Sequence, residues 1–293
     1  DWKEKRRRKL DRGRGPATIF IASEDTSLVP WYASYIVPRG EEASFTINEA
    51  IKSIEGRGGR IICLDGVYEI YSQEIELLSG VSLEGQGAGT VFRFADGAIT
   101  DWMIRSKTQQ EDSKNISIRN LAIDGNGANQ DHAVNMIYLS HIKESLVENL
   151  VIHNLYEYSS GIAIGSGSDN SITGTIIYGN TGITIYSGNR NKINDNKIFA
   201  ADIGIFVNLA EGVVVEGNVI EGKSGDPVAY CGINLFSSEG GNVQGNKCMN
   251  CDVGISISFM GLNNLVTNND LAGCGVGIED YGDSTVTDPG NRI

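Results

Sequence analysis

From Gly161 onward the chain repeats a short pattern of one glycine followed by alternating apolar positions: Gly161-Ile-Ala-Ile, Gly182-Ile-Thr-Ile, Gly204-Ile-Phe-Val, Gly232-Ile-Asn-Leu, Gly254-Ile-Ser-Ile and Gly277-Ile-Glu. The glycines fall 21, 22, 28, 22 and 23 residues apart. Alternation with a period of two marks strands that bury one face. A second family lies between them, with copies at 118–123, 147–152, 172–177, 193–198, 215–220, 243–248 and 266–271, each opening and closing on an apolar or cysteine residue. Every repeat therefore predicts a strand, a turn and further short strands.

A leucine-rich repeat needs a Leu and Asn consensus with a helix in each unit, and a propeller blade needs about 40 residues. A period near 22, rich in Ile, Val, Asn and Gly, fits neither. It fits a coil in which each strand pairs in parallel with its equivalents about 4.8 Å above and below, and inward residues stack in apolar columns. The fold class is therefore all-β, a right-handed parallel β-helix with a short N-terminal capping helix. That helix is predicted over 44–56, where Ile47, Ala50, Ile51 and Ile54 keep helical spacing, Thr46 with Glu49 makes a capping box and Gly56 ends it. It should plug one open end of the coil. Asn196, Asn218, Asn246 and Asn269 recur at one bend, where Asn tolerates left-handed backbone and its amides can bond along the coil. These asparagines read as structural.

One domain is expected over 17–293, with a cap over about 17–60 and rungs over about 61–285; residues 1–16 read as a basic tail or linker. The length of 293 residues, with 40% apolar residues, 37 Gly and 5 Pro, suits a large core with many turns. A net charge of -13 repels phosphate backbones, so no nucleic acid is expected as a partner. No apolar run reaches the roughly 18 residues of a membrane span. The chain begins at Asp1 without a hydrophobic leader, as a mature or trimmed product would. Five cysteines exclude a complete disulfide framework. The Cys248-x-x-Cys251 spacing could bind zinc, but Cys248 aligns with Ile198, Ile220 and Leu271, and Cys251 aligns with Cys274 within reach of a disulfide or simple thiol stacking, so core cysteines are expected and no metal ligands are assigned.

The order of pieces is a helix, then Gly58-Gly59-Arg60-Ile-Ile-Cys-Leu-Asp65-Gly66-Val-Tyr68, then Gly80-Val-Ser-Leu-Glu-Gly85-Gln-Gly87-Ala-Gly89-Thr, then rungs. In this the chain resembles the pectate-lyase-like β-helix superfamily, over roughly residues 36–281, and looks closest to phage-tail and lyase or epimerase relatives. The resemblance implies a protein that binds, cleaves or modifies polysaccharide at an extracellular or virion surface. It supplies no catalytic set. The paired-Asp, Gly-His-Gly and Arg-Ile-Lys segments of polygalacturonases, the Trp-Asp-His and Arg-Pro signatures of pectate lyases and the Asp-Pro-His of mannuronan epimerases are all absent. Relatives acting on uronates often use Ca2+, which enters as a candidate cofactor, although no compact Asp-rich loop is present.

Alternation predicts that Tyr138, Tyr186, Phe206, Asn208, Asn234 and Phe236 share one outward stripe, suited to substrate binding because sugar C–H patches stack on aromatic rings. The densest titratable stretch holds His132, His141 and His153 beside Asp124, Asp131, Tyr156, Glu157 and Tyr158, although Asp124 lies in an Ile-Asp-Gly-Asn segment that is also a routine turn. A lyase or epimerase on an acidic polysaccharide needs a neutralised carboxylate, a base and, for cleavage, an acid. The catalytic candidates are accordingly Asp131, His132, His153, Glu157 and Tyr158, with Arg190, just after Tyr186, as neutraliser. The alternative is a non-catalytic structural or glycan-binding module of a phage tail spike or surface protein, in which Phe206 and Phe236 meet sister subunits of a homotrimer.

Overall fold

The computed structural model describes residues 16–24, 31–107, 113–222, 229–288 and 290–293. Of the expected basic tail, all but Pro16 lies outside the described residues. Among those described, 26 strands hydrogen-bond into one continuous sheet that winds through about nine turns of a parallel solenoid. Each full turn has three faces. A valine face carries triplets such as Lys192–Asn194 and Val214–Glu216, a middle face carries segments such as Val151–His153 and Val219–Gly222, and the glycine-led face carries the longest strands.

Register explains the sequence repeat. On the glycine-led face Ile162, Ile183, Ile205, Ile233, Ile255 and Ile278 stand opposite one another in successive turns, all in parallel pairs. The valine face stacks Ile172, Ile193, Val215, Val243 and Val266 in the same way. The middle face stacks Ile152, Ile177, Ile198, Ile220 and Cys248. The three columns meet in the interior and form one continuous core. Each fully buried Ile contributes about 1.5–3 kcal/mol of transfer free energy, so the repeat is held by hydrophobic burial.

The leading glycines are required by space. A Cβ on Gly232 would stand 2.6 Å from the Gly254 carbonyl oxygen and 2.7 Å from Cys248 Sγ. The middle and glycine-led faces can therefore meet only where no side chain intervenes.

Helix α1 spans Ala43–Ser53 and buries Ala43, Ser44, Ile47, Ala50 and Ile51 against strands Tyr35–Val37, Gly59–Cys63, Gly66–Ile70 and Ile75–Leu77. It covers the first turns as expected, but its start differs from the Thr46 and Glu49 box. The N-cap is Glu42, and its carboxylate reaches across to accept from the backbone N–H groups of Tyr71, Ser72 and Gln73 at 3.2, 2.8 and 2.7 Å. Those donors belong to the neighbouring loop, which no local helix pattern can reveal. Gly56, with φ 74°, follows the helix as expected.

The asparagine column is a buried ladder. Asn196 Nδ2 donates to Asn218 Oδ1 at 3.0 Å, Asn218 to Asn246 at 2.9 Å, Asn246 to Asn269 at 3.0 Å and Asn269 to Asn291 at 3.0 Å. One expectation is corrected: the left-handed residue at this bend is the preceding one, Asp195, Gly217, Gly245 or Asn268, with φ between 55° and 66°.

Candidate functional site

The glycine-led face carries two outward columns. One runs Tyr138, Ala163, Thr184, Phe206, Asn234, Ser256 and Glu279, and the other runs Gly165, Tyr186, Asn208 and Phe236. Because aromatic and amide residues alternate between columns, the face is a checkerboard. Tyr186 meets Phe206 edge-on at a centroid distance of 6.2 Å, and Phe206 meets Phe236 at 6.4 Å. Tyr186 and Phe236 remain 43% and 45% exposed, so the row is open to solvent. Asn208 and Asn234 fill the remaining squares, and the Oδ1 atom of each is buried with no hydrogen-bond partner.

Tyr138 extends the row by another route. Its ring stacks on Trp102 at 4.5 Å, and a Cβ on Gly165 would come 2.9 Å from its hydroxyl. Trp102 escaped the sequence reading because it precedes the clear repeat.

The catalytic candidates do not form one cluster. His132 and Asp131 lie in the loop entering the glycine-led face, with Nδ1 and Oδ1 2.8 Å apart. The hydrogen bond to His132 holds the exposed Asp131 carboxyl below its ordinary value. Glu157 and Tyr158 occupy the equivalent loop one turn on; both are exposed, and Tyr158 has a left-handed φ of 67°. His141 stands beyond the opposite edge, with Nδ1 2.8 Å from Ser140 Oγ.

His153 belongs to the middle face. It stands in register with Asp124, which stands in register with Arg93. Asp124 Oδ1 accepts from Asn126 N at 2.9 Å and Asn154 Nδ2 at 3.1 Å; His153 Nδ1 lies 3.9 Å from that oxygen, and Arg93 Nε lies 3.7 Å from Oδ2. Tyr178 and Phe199 stack next along this face at 4.6 Å. Arg93 was not among the residues expected from sequence, though alternation of the middle strands places it outward beside Asp124.

Arg190 sits on the turn leaving the glycine-led face and is bound to Asp169 by two hydrogen bonds of 2.7 Å. A strand of the length of Ser160–Gly165 separates that turn from the loop of His132, a span of roughly 16–20 Å at about 3.3 Å per residue.

Four thiols gather where the middle and glycine-led faces meet near the C-terminal turns. All five cysteines are free. Burial pushes the Cys231 thiol up to about 12, and burial likewise raises Cys248. Cys251 Sγ donates to the Met249 carbonyl and Cys274 Sγ to the Cys248 carbonyl, each at 3.4 Å, and interaction between the two thiols raises Cys251 and lowers Cys274 to about 7. Among the described residues no three His, Cys, Asp or Glu side chains are grouped to hold a metal ion.

A family model described as "Periplasmic copper-binding protein (NosD)" matches residues 72–292. Among the described residues no group of three His, Cys, Asp or Glu side chains is placed to hold that copper. Comparison with curated proteins finds no sequence match. Among solved structures, Geobacillus virus E2 ORF18 superposes with a TM-score of 0.63 at 14% identity, over 86% of this chain and 57% of the viral one. DFA-IIIase from Arthrobacter chlorophenolicus A6, solved also with GF2 and with DFA-III, gives 0.66 at 15% identity over 85% of this chain and 67% of the enzyme. At such identities the likeness is one of fold. The chain spans little more than half the length of the viral protein.

Proposed function

Because the chain belongs to the NosD family of right-handed β-helix proteins, we propose that it is a carbohydrate-active member of that fold, with polysaccharide bound on the glycine-led face. The observation that carries this reading is the unbroken row Tyr186, Phe206 and Phe236, interleaved with the amides of Asn208 and Asn234. Rings supply stacking surface, and amides supply direction. Affinity electrophoresis of the full chain in polysaccharide gels tests it: Tyr186→Ala combined with Phe236→Ala should abolish retardation, while a wild-type chain that no glycan retards would refute the reading.

The finer form is a lyase or epimerase on an acidic polysaccharide, with base and acid drawn from His132, Asp131, Glu157 and Tyr158, or from His153. It needs a cation beside the substrate carboxylate, and Arg190 is tied to Asp169 across the face. Binding is therefore better supported than elimination. Release of unsaturated ends and exchange of the C5 proton are the two readouts for that chemistry. An extracellular, periplasmic or virion-surface setting suits such a substrate.

A second reading is favoured by Phe259, Met260 and Leu262, turn residues that are 78%, 69% and 39% exposed. Sister copies of a tail-spike-like module would cover them. A homotrimeric mass in dilute solution supports that reading, and a monomer that binds glycan removes it.

A further inference from the structure

We propose that the glycine-led face selects an uncharged, extended polysaccharide lying along the coil axis, and rejects uronate-bearing chains. This rests on the reading that the face binds glycan, and it departs from the acidic substrate expected of the sequence.

Three observations converge. The rings stand on successive turns, so each is one strand spacing of about 4.8 Å further along the axis. That spacing is close to the length of one sugar in an extended chain, and a ligand parallel to the axis meets the rings in sequence. Asn208 and Asn234 stand between the rings, and neither carries a charge. Amides exchange hydrogen bonds with sugar hydroxyls but supply no cation to hold a carboxylate.

The third observation is charge. Asp202 and Asp252 stand exposed where the strands enter the face, and Glu211, Glu239 and Asp283 stand exposed, in register, where they leave it. Against these five carboxylates, the same rim carries Lys143, in register on the turn of Tyr138, and Arg190, already paired with Asp169. Like charges flanking a binding strip repel a polyanion over a Debye length of about 8 Å, and a neutral chain feels none of this. The face thus admits glycans by shape and hydroxyl donors, and its rims exclude anionic ones.

The test is affinity electrophoresis of the full chain against neutral glucan, mannan and fructan and against polygalacturonate and alginate, at low and high salt. Retardation by a neutral glycan, changing less than about twofold with salt and lost in Phe236→Ala, is the expected result. The double charge reversal Glu211→Lys with Glu239→Lys should raise retardation by the uronate polymers at least about tenfold at low salt. Stronger retention by uronate polymers in the wild type overturns the inference while leaving glycan binding intact. Failure of the reversal to admit them also counts against it. Retention by no polymer overturns both this inference and the reading beneath it. Circular dichroism and thermal unfolding of each variant establish that it retains the fold.

Discussion

Asn218 shows how much one side chain does in a stacked fold. Its Oδ1 accepts from both the backbone N–H and Nδ2 of Asn196 at 3.0 Å, and its own Nδ2 donates to Ile193 O and Asn246 Oδ1 at 2.9 Å. Asn218→Ala leaves buried donors and an acceptor unsatisfied on two neighbouring turns, so a loss of about 2–4 kcal/mol in urea unfolding is expected. A loss below about 0.5 kcal/mol would mean that water replaces the amide. The recurrence of Asn was legible in sequence, but its two uses were not separable there. Asn is favoured both in left-handed backbone and in amide ladders, so Asn268 and Asn269 look alike until their neighbours are placed. The cysteines make a second residue-scale prediction. With its thiol lowered to about 7, Cys274 should be alkylated by iodoacetamide at a rate that rises through neutral pH. The other four, buried, should react only on unfolding. Mass spectrometry of partly labelled protein checks it, and prior modification of Cys231 or Cys251 would contradict it.

At the scale of elements, Glu42 couples helix α1 to the loop after the Gly66–Ile70 strand. Partial burial pushes its carboxyl up, but hydrogen bonds from Ser72, Ser44 and the Ser72 and Gln73 amides outweigh that and leave it below the ordinary 4.5. A carboxyl with a depressed folded value adds stability above its unfolded value, and that share disappears as pH falls through the folded one. Docking of α1 should therefore weaken only below about pH 4.5, and Glu42→Gln should remove that step and cost about 1–3 kcal/mol near neutrality. Hydrogen exchange across 43–53 at neutral pH and at about pH 3 reports it; unchanged protection at both in the variant would exclude the coupling. Strand alternation made the ring row legible, because a period of two fixes the side of every residue. It could not group the histidines. A six-residue strand such as Asn135–Ser140 carries the chain from one edge of the face to the other, so His132 and His141, nine residues apart in sequence, end on opposite edges.

For the whole molecule the decisive property is that each turn touches only its neighbours. The paired registers link every strand to the turn before and the turn after, so stability is a chain of nearest-neighbour terms. The repeat made this legible from Gly161 onward. The first turns were harder to read because Val81–Phe94 is one long strand whose pairing with Ser117–Asp124 shifts register at Gly87. A lesion in the middle should consequently act locally. Ile205 is fully buried between Ile183 and Ile233 in its column. Ile205→Asp places a carboxyl in that column with no cation beside it, at a local cost of about 4 kcal/mol or more. Amide protection should then fall across the turns containing Ile183, Ile205 and Ile233, while helix α1 and the strand Gly59–Cys63 retain theirs. Equal loss at both distances would show that the coil unfolds as one cooperative unit, and the additive account of its turns would have to be abandoned.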